Sequence, residues 1–556
     1  MNEENKELAN LLFPHINKEV DYYLNLYKRR ELSQEQKITR FAPSPTGFVH
    51  IGGLFSALIS ERVAHLSNGI FYLRIEDTDK KREIEGGVLE IINALKNFDI
   101  NYDEGCISDL EQKGNYGPYK QSERIEIYQT FAKKLVEEGK AYPCFCSNEE
   151  LEEIRKKQES MNILTGYYGE WAIYRNKTLD EIKSMLEKNI PFVIRFKSNG
   201  DFNKKISYKD VIKGLIELQE NNQDIVICKS DGLPTYHFAH VIDDYLMGTT
   251  HVIRGEEWLA SVPIHIQLFR ALGWKPPRYA HIPTILKQDG ESKRKLSKRK
   301  DPEAAVSYYH KEGYPSNSVI EYLLNLANSN FEEWRKNNPE KNWREFPFKI
   351  EKIGTSGALF DLDKLNNISK NYISRLNAQE IFDYIYNWSK QYDMTFFEII
   401  NKDKEYSLKV FNIEKDNINK PRKDIAKWSD VRNVVEYMFD DLYNLENIKQ
   451  YNFSKNMSKD DIKEILLRYK NIYSYNDDKE TWFSKLQNLS ENLGYAKDTK
   501  TFKANSSLYK GYIADTSNVI RVAISNRTQT TDLYQTLQVL GYDRVIKRIE
   551  HAISTL

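Results

Sequence analysis

The segment RFAPSPTGFVHIGG, residues 40–53, joins a strand pattern to a helix pattern through a tight loop. Ile38 to Ala42 is an apolar, β-prone run, and PSPTG ends it. From Ile51 onward apolar residues recur on one stripe, which predicts a helix that Asn68 and Gly69 stop. IFYLRIED, residues 70–77, follows as a second strand pattern. The order strand, loop, helix, strand predicts a parallel α/β unit.

The loop meets the predicted helix at its amino-terminal end, where unpaired backbone N–H groups and the helix dipole favour an anion. Gly52 and Gly53 carry no side chains that would keep an anion away from these amides. His50 adds a ring nitrogen that can form a hydrogen bond with a phosphate oxygen. The segment therefore predicts a nucleotide-phosphate site. Outside this context, a histidine at a helix start is more often a cap or a satisfied polar group.

A second basic segment, KLSKR at residues 295–299, pairs with the first. FVHIGG and KLSKR together resemble the two signatures of class I aminoacyl-tRNA synthetases. Further matches occur in order along the chain: RIEDTD at 74–79, GPYKQSER at 117–124, LPTYHFAHVIDD at 233–244 and VIRGEEW at 252–258. The set most resembles the glutamyl-tRNA synthetase family of bacterial type.

The resemblance implies an α/β fold with a Rossmann-like parallel-sheet catalytic domain and an inserted acceptor-binding domain, followed by a mostly α-helical anticodon-binding region. The expected segments are an N-terminal helical extension (1–37), the two halves of the catalytic domain (38–142 and 233–300), the insert (143–232), a helical stem-contact region (301–385) and the anticodon-binding domain (386–556). The N-terminal extension has no assigned function.

The resemblance also implies which side chains form the site. The expected catalytic residues are His50, Lys295 and Lys298. The residues expected to bind ATP are Thr46, Gly47, His50, Gly52, Gly53, Glu257, Trp258 and Lys298. The residues expected to bind the amino acid are Arg40, Ser44, Glu76, Tyr236, His240 and Arg254. Lys293, Arg294 and Lys300 are interpreted as screening or tRNA-facing charges.

Each member of the amino-acid set suits its role chemically. The Arg40 guanidinium can hold the side-chain carboxylate and Arg254 the α-carboxylate, while Tyr236 adds a hydroxyl donor. Ser44 and Glu76 can bind the ammonium group. Two alternatives remain: Glu76 could pair with Arg74, and Trp258 could be an ordinary packed aromatic. His240 stands where many family members have asparagine, which makes the α-carboxylate contacts a point for the structure to test.

The amino-acid composition limits the partners and the cellular location that we expect for this protein. The 556 residues carry 81 Lys and Arg and 81 Asp and Glu, so a tRNA partner must meet local basic surfaces rather than an overall positive field. Four cysteines are too few for a disulfide scaffold, and no apolar run approaches a membrane span. We expect a cytoplasmic monomer with no membrane contact. Cys144 and Cys146 form a CxC pair without a second pair, so no zinc or other protein-bound metal is expected.

The implied reaction is the ATP- and Mg²⁺-dependent activation of L-glutamate to glutamyl-adenylate, followed by transfer to the 3′-terminal adenosine of tRNA-Glu. Four alternatives to this reaction are compatible with parts of the sequence. A glutaminyl-type or non-discriminating synthetase, or an enzyme that modifies a tRNA base, would share the catalytic signatures. A catalytically silent tRNA-binding paralogue would have no reason to keep the phosphate site.

Overall fold

The computed structural model describes residues 3–297, 299–415 and 422–556. The chain divides into two compact units: Met1–Tyr308 with Ile320–Asp361, and Tyr309–Val319 with Leu362–Leu556. The functional domain limits given above rest on sequence and remain predictions. In the described ranges, no helix is both long and apolar enough to span a bilayer.

Among the described residues, the first unit contains fourteen strands. They are β1 (Ile38–Phe41), β2 (Ile70–Leu73), β3 (Glu104–Cys106), β4 (Gln112–Lys113), β5 (Ala141–Cys144), β6 (Val193–Phe196), β7 (Lys205–Asp210), β8 (Gly214–Gln219), β9 (Val226–Cys228), β10 (His251–Gly255), β11 (Arg278–Ile282), β12 (Ile285–Asp289), β13 (Ser292–Lys295) and β14 (Ala358–Leu359).

The helices of the first unit, through the shared boundary, are α1 (Glu3–Leu12), α2 (Val20–Leu26), α3 (Ile51–His65), α4 (Gly87–Asn97), α5 (Ile125–Glu137), α6 (Asn148–Ser160), α7 (Leu179–Glu187), α8 (Tyr236–Leu246), α9 (Val262–Ala271), α10 (Val306–Glu312), α11 (Ser316–Ala327) and α12 (Asn330–Asn337). Those of the second unit are α13 (Leu362–Arg375), α14 (Ala378–Tyr392), α15 (Met394–Lys402), α16 (Lys404–Phe411), α17 (Trp428–Val435), α18 (Lys459–Ile472), α19 (Lys479–Asn492), α20 (Thr499–Ala504), α21 (Ile513–Ser525), α22 (Leu533–Leu540) and α23 (Tyr542–Ser554).

The parallel core of the first unit forms as the sequence predicts. β1 pairs in parallel with β2, and β2 with β3, while β10 pairs in parallel with β11. All four residues of β1 are buried. Because α3 connects two parallel neighbours, it crosses over the sheet and buries most of its length. The Thr250 N–H donates to the Ile38 carbonyl over 3.0 Å, which brings β10 alongside β1.

The insert between β5 and α8 is built from antiparallel strands. β6 pairs with both β5 and β9, and β7 and β8 form a hairpin. Its two helices begin with capping boxes, Ser147 with Glu150 and Thr178 with Glu181. The Val211 N–H donates to the Tyr279 carbonyl, so the hairpin turn contacts β11 of the parallel core.

The N-terminal helices are part of the first unit's core. Ala9, Leu12 and Tyr23 are buried in one cluster with residues of α5 and α8. This follows from the apolar spacing of LANLLFPHI, whose apolar side chains need a partner surface.

The described residues of the second unit are helical, and an apolar cluster runs from α13 to α23. Leu466, Leu486 and Ile549 are fully buried within it. An α/β parallel-sheet unit followed by a helical region is the predicted fold class, which is confirmed.

Candidate active site

The loop after β1 places His50 as the N-cap of α3. Its Nδ1 accepts a hydrogen bond from the Gly52 N–H over 3.0 Å. A ring nitrogen that accepts carries no proton, so in the neutral ring the proton lies on Nε2. Nε2 is 3.2 Å from the Leu296 carbonyl, to which it donates. His50 thus bridges the phosphate-type loop and the basic segment.

The basic segment is anchored by Asp301. Its carboxylate accepts from both Nη atoms of Arg294, at 2.6 and 2.8 Å, and from the Ser297 N–H at 2.8 Å. Arg294, interpreted above as a screening charge, has this structural role. Lys295 Nζ lies 3.6 Å from a Glu257 carboxylate oxygen, and both side chains are exposed. Lys298 lies outside the described residues, and its role stays a prediction.

Arg40 enters the site from β1 already paired. Its Nε lies 3.2 Å from Asp244 Oδ1, and Arg74 Nη1 lies 2.8 Å from the same oxygen. Burial alone would raise the pKa of Asp244, but Arg40 and Arg74 hold it well below its ordinary value. Burial opposes the charge on Arg40, yet Asp244 keeps the pKa of Arg40 above its usual value. Two guanidiniums therefore share the Asp244 carboxylate, so further negative charge comes from their surroundings; Arg74 Nε lies 3.8 Å from Asp243 Oδ2.

Glu76 follows β2 and supplies part of that charge. Its Oε1 accepts from Arg74 Nη2 over 3.0 Å. Burial nevertheless raises the pKa of Glu76 above its ordinary value. Glu76 also faces the cavity. Glu76 can therefore pair with Arg74 and, from the same position, bind a substrate group in the cavity.

Arg254 on β10 is held by four hydrogen bonds. Its Nε donates to His281 Nε2 at 3.1 Å, and its Nη2 donates to the Trp258 carbonyl at 3.2 Å. Its Nη1 lies 3.3 Å from both the Tyr236 hydroxyl and His265 Nδ1. Since a guanidinium has five N–H donors, these contacts leave one N–H on Nη2 for a ligand. Arg254 can therefore bind a carboxylate through one N–H donor, and not through the two parallel donors of a bidentate pair.

Histidines surround this arginine, and their rings are neutral. His265 is fully buried, and its Nε2 lies 3.0 Å from His237 Nδ1. Burial lowers the pKa of His237 to about 4 and holds that of His265 well below its usual value. Because both rings face Arg254, neutrality avoids stacking several positive charges together.

Tyr236 begins α8, and its ring centroid lies 4.3 Å from that of Trp258. Trp258 is 37% exposed, although it packs against Tyr236. Both line the cavity, so Trp258 combines a packing contact with a surface open to a ligand.

One cavity of about 1540 Å³ collects these residues. Of the predicted residues that the structure describes, those lining it are Arg40, Ser44, Thr46, His50, Gly52, Gly53, Glu76, Tyr236, Arg254, Glu257, Trp258 and Lys295.

Gly47 and His240 do not line this cavity. His240 is fully buried, with Nε2 at 3.1 Å from the Tyr279 hydroxyl and Nδ1 at 2.7 Å from Asp244. Burial lowers the pKa of His240 to about 3. The direct substrate contact expected of His240 is therefore not what the structure shows. This side chain lies behind the wall and contacts the carboxylate that pairs with Arg40.

Two known protein families match parts of this chain. Residues 37–366 match a family described as tRNA synthetases class I (E and Q), catalytic domain, and residues 510–553 match an anticodon binding domain. The chain belongs to the class I (E and Q) tRNA synthetase family.

Individual proteins similar to this synthetase are glutamate–tRNA ligases. It is 50% identical to a glutamate–tRNA ligase of Clostridium perfringens, over 98% of this chain and all of that one. It is 48% identical to a glutamate–tRNA ligase of Acetivibrio thermocellus, over 99% of this chain and all of that one. A solved structure of a glutamate tRNA ligase from Elizabethkingia meningosepticum, in complex with its amino acid, is 27% identical, with a TM-score of 0.72 over 94% of this chain and 100% of that one.

Several residues of the synthetase site were missed by sequence reasoning. Asp244 ends the quoted LPTYHFAHVIDD motif, which was the available signal. Asp210, His265 and His281 gave no such signal, because an isolated histidine or aspartate in a strand or helix is usually an ordinary buried polar group.

Proposed function

We propose that this synthetase joins L-glutamate to the 3′-terminal adenosine of tRNA-Glu at the expense of ATP. Family membership supports the reaction class. The names of the relatives support glutamate and its tRNA as substrates. The observation that carries the proposal is the buried group of Arg40, Arg74, Asp244 and Glu76, which reaches the same cavity as the phosphate-type loop.

The charge of that group suits glutamate. Arg40 pairs with Asp244, and Arg74 pairs with both Asp244 and Glu76. Glutamate adds its side-chain carboxylate beside Arg40 and its ammonium group beside Glu76, so each added charge has an opposite partner; the neutral amide of glutamine leaves Arg40 without one. Ser44 and Glu76 are the proposed partners of the ammonium group, and the Tyr236 hydroxyl adds a donor.

The reaction needs the substrate α-carboxylate to attack the α-phosphate of ATP. The remaining Arg254 N–H orients that carboxylate, and the positive end of the α3 dipole, beside Gly52 and Gly53, receives the phosphates. The Gly52 and Gly53 N–H groups donate to His50 Nδ1 and the His50 carbonyl, so His50 donates to a phosphate from Nε2 by giving up its contact with the Leu296 carbonyl. Lys295, with Lys298, supplies positive charge to the departing pyrophosphate. Thr46, Glu257 and Trp258, which line the cavity, flank the nucleotide. The chain aligns the reactants and forms no covalent intermediate.

Mg²⁺ enters with ATP as part of the substrate. This ion keeps several waters and binds largely through phosphate oxygens. In the described part of the chain, no group of three or more His, Cys, Asp or Glu is placed to hold a metal ion. We propose no protein ligand for magnesium and no bound zinc.

The second unit is the proposed anticodon reader, since the matched anticodon binding domain lies within it. We propose that the chain acts in the cytoplasm as a monomer. Binding of tRNA by a chain of zero net charge depends on local basic surfaces and should weaken as salt is added.

Aminoacylation of purified tRNA-Glu and tRNA-Gln with labelled glutamate, ATP and Mg²⁺ tests the proposal. We expect charging of tRNA-Glu, and pyrophosphate exchange that requires glutamate and tRNA. No glutamate-dependent exchange under these conditions would overturn the proposal. Equal charging of tRNA-Gln would extend it to a non-discriminating enzyme.

A further inference from the structure

Arg254, His281 and Asp210 form a series of buried polar contacts. Arg254 and His281 are direct neighbours on the parallel strands β10 and β11. The Arg254 Nε donates to His281 Nε2 at 3.1 Å, and His281 Nδ1 lies 2.6 Å from Asp210 Oδ2. Asp210 ends β7 of the inserted segment. All three side chains are buried, at 5%, 0% and 1% exposure for Arg254, His281 and Asp210.

The hydrogen-bond donors and acceptors of these three side chains determine where each proton lies. A guanidinium N–H always donates, so His281 Nε2 must accept and carries no proton. The single ring proton is then on Nδ1 and is donated to Asp210 Oδ2. Asp210 Oδ1 accepts from the N–H groups of Ile212 and Lys213, each at 2.9 Å. The His281 backbone N–H also lies 3.3 and 3.2 Å from the two Asp210 oxygens. Oδ1 of Asp210 therefore closes the turn of the β7–β8 hairpin, Oδ2 fixes the tautomer of His281, and both oxygens face the His281 backbone N–H.

We propose that Asp210 and His281 are positioning residues for Arg254, which they hold in the orientation that receives the α-carboxylate of the amino acid. This rests on the proposed function. Because four of the five Arg254 donors are used by protein acceptors, the direction of the remaining N–H depends on those acceptors. The inserted segment therefore contributes a residue to the amino-acid site.

Asp210→Asn separates the two tasks of Asp210. The Asn side-chain oxygen can still accept from the N–H groups of Ile212, Lys213 and His281 and so keep the hairpin turn and its contact with β11. Its NH₂ group then faces His281 Nδ1, where it needs an acceptor. This forces the ring proton onto Nε2, where it opposes the Arg254 Nε–H. The variant keeps the size and shape of Asp210 but presents the wrong histidine tautomer to Arg254.

The test uses the full chain with tRNA, in pyrophosphate exchange. We expect Asp210→Asn to raise the KM for glutamate roughly 10- to 100-fold, the range for a lost hydrogen bond to a charged group. The KM for ATP should stay within about twofold, well below the effect of one such bond. Inhibition by 4-aminobutyrate, which is glutamate without its α-carboxylate, should not change, because that compound makes no contact with Arg254.

Two further variants control for structure. Asp224→Asn alters another fully buried aspartate of the insert, which binds the Ser198 N–H, Tyr142 and Arg175. It should leave the KM for glutamate unchanged. Asp210→Asn combined with His281→Gln should recover part of the glutamate affinity, since the Gln oxygen accepts from Arg254 without a tautomer.

An unchanged KM for glutamate in Asp210→Asn would overturn the inference. An equal loss of inhibition by 4-aminobutyrate would also overturn it. So would a double variant whose increase in the KM for glutamate equals the combined increases of Asp210→Asn and His281→Gln measured separately. A wild-type chain without glutamate-dependent exchange would instead overturn the proposed function, which keeps the two failures distinct.

Discussion

In the proposed site, Arg40 is the residue expected to distinguish glutamate from glutamine. The two amino acids are almost isosteric, so charge must separate them. Arg40 already pairs with Asp244, but Asp244 has Arg74 as a second partner at 2.8 Å. The positive charge of Arg40 therefore remains available to a substrate carboxylate, and removing it does not leave Asp244 unpaired.

Arg40→Gln should lower kcat/KM for glutamate by at least about 100-fold, because a buried site built for one charge discriminates strongly against its absence. The loss for glutamine should be much smaller. Steady-state kinetics with both amino acids, on wild type and variant, measure the two ratios. An equal proportional loss would show that Arg40 has a structural role and that the selector lies elsewhere.

The cysteine pair carries a second prediction at this scale. Cys144 is buried and lies 3.4 Å from the Tyr167 hydroxyl, and burial raises the pKa of Cys146 to about 12. Structural zinc is bound by four ligands, and a CxC pair supplies two. Elemental analysis of the purified chain should find no stoichiometric zinc.

Chelation provides the control for that prediction. Treatment with a chelator, followed by its removal and addition of Mg²⁺, should restore full exchange activity. Cys146→Ser should behave as wild type. One zinc per chain that is lost with Cys146→Ser would contradict the prediction.

At the scale of elements, α3 is anchored at both ends by histidines. His50 caps its start, and His65 in its last turn lies 3.0 Å from both Asp103 and Glu61. These two partners raise the pKa of His65 to about 9, although burial opposes the shift. A cation is also favoured at a helix carboxyl end.

His65 should therefore make the stability of the first unit depend on pH. Its folded pKa lies above the unfolded value of about 6.5, so its contribution is fully present below that pH and is lost as pH rises through 9. The shift corresponds to about 2 to 3 kcal/mol for this partly exposed ring. Urea unfolding of wild type and His65→Gln at pH 6 and pH 9.5 isolates the effect. The variant should be less stable at pH 6 and nearly equal at pH 9.5; an equal deficit at both values would contradict the assignment.

The same elements show what a sequence can predict. The loop, the His50 cap and α3 were predictable because their contacts are local: His50 and Gly52 lie two positions apart. Arg40 and Asp244 lie 204 positions apart, and Asp210 and His281 lie 71 apart. Only the folded insert and the two sheets bring these pairs together. His240 was misplaced for the same reason, because the motif gives its neighbours in sequence but not the wall that covers it.

At the scale of the whole molecule, the chain contains two units with separate apolar cores. Units with their own cores unfold as separate cooperative steps when each buries enough apolar surface. The proposed ATP and glutamate sites lie in the first unit. A ligand of that cavity stabilises only the unit that binds it.

Calorimetry of the full chain should therefore show two transitions. A non-hydrolysable glutamyl-adenylate analogue should raise the midpoint of one and leave the other unchanged. Leu135 in the first unit and Leu466 in the second are both fully buried, so they form a matched pair for assigning the transitions. Leu135→Ala should lower the ligand-sensitive midpoint and Leu466→Ala the other, since each cavity costs about 2 to 5 kcal/mol. If Leu466→Ala lowered both midpoints equally, or the analogue shifted both, the two units would be one cooperative body and their assignment to separate tasks would lose its physical basis.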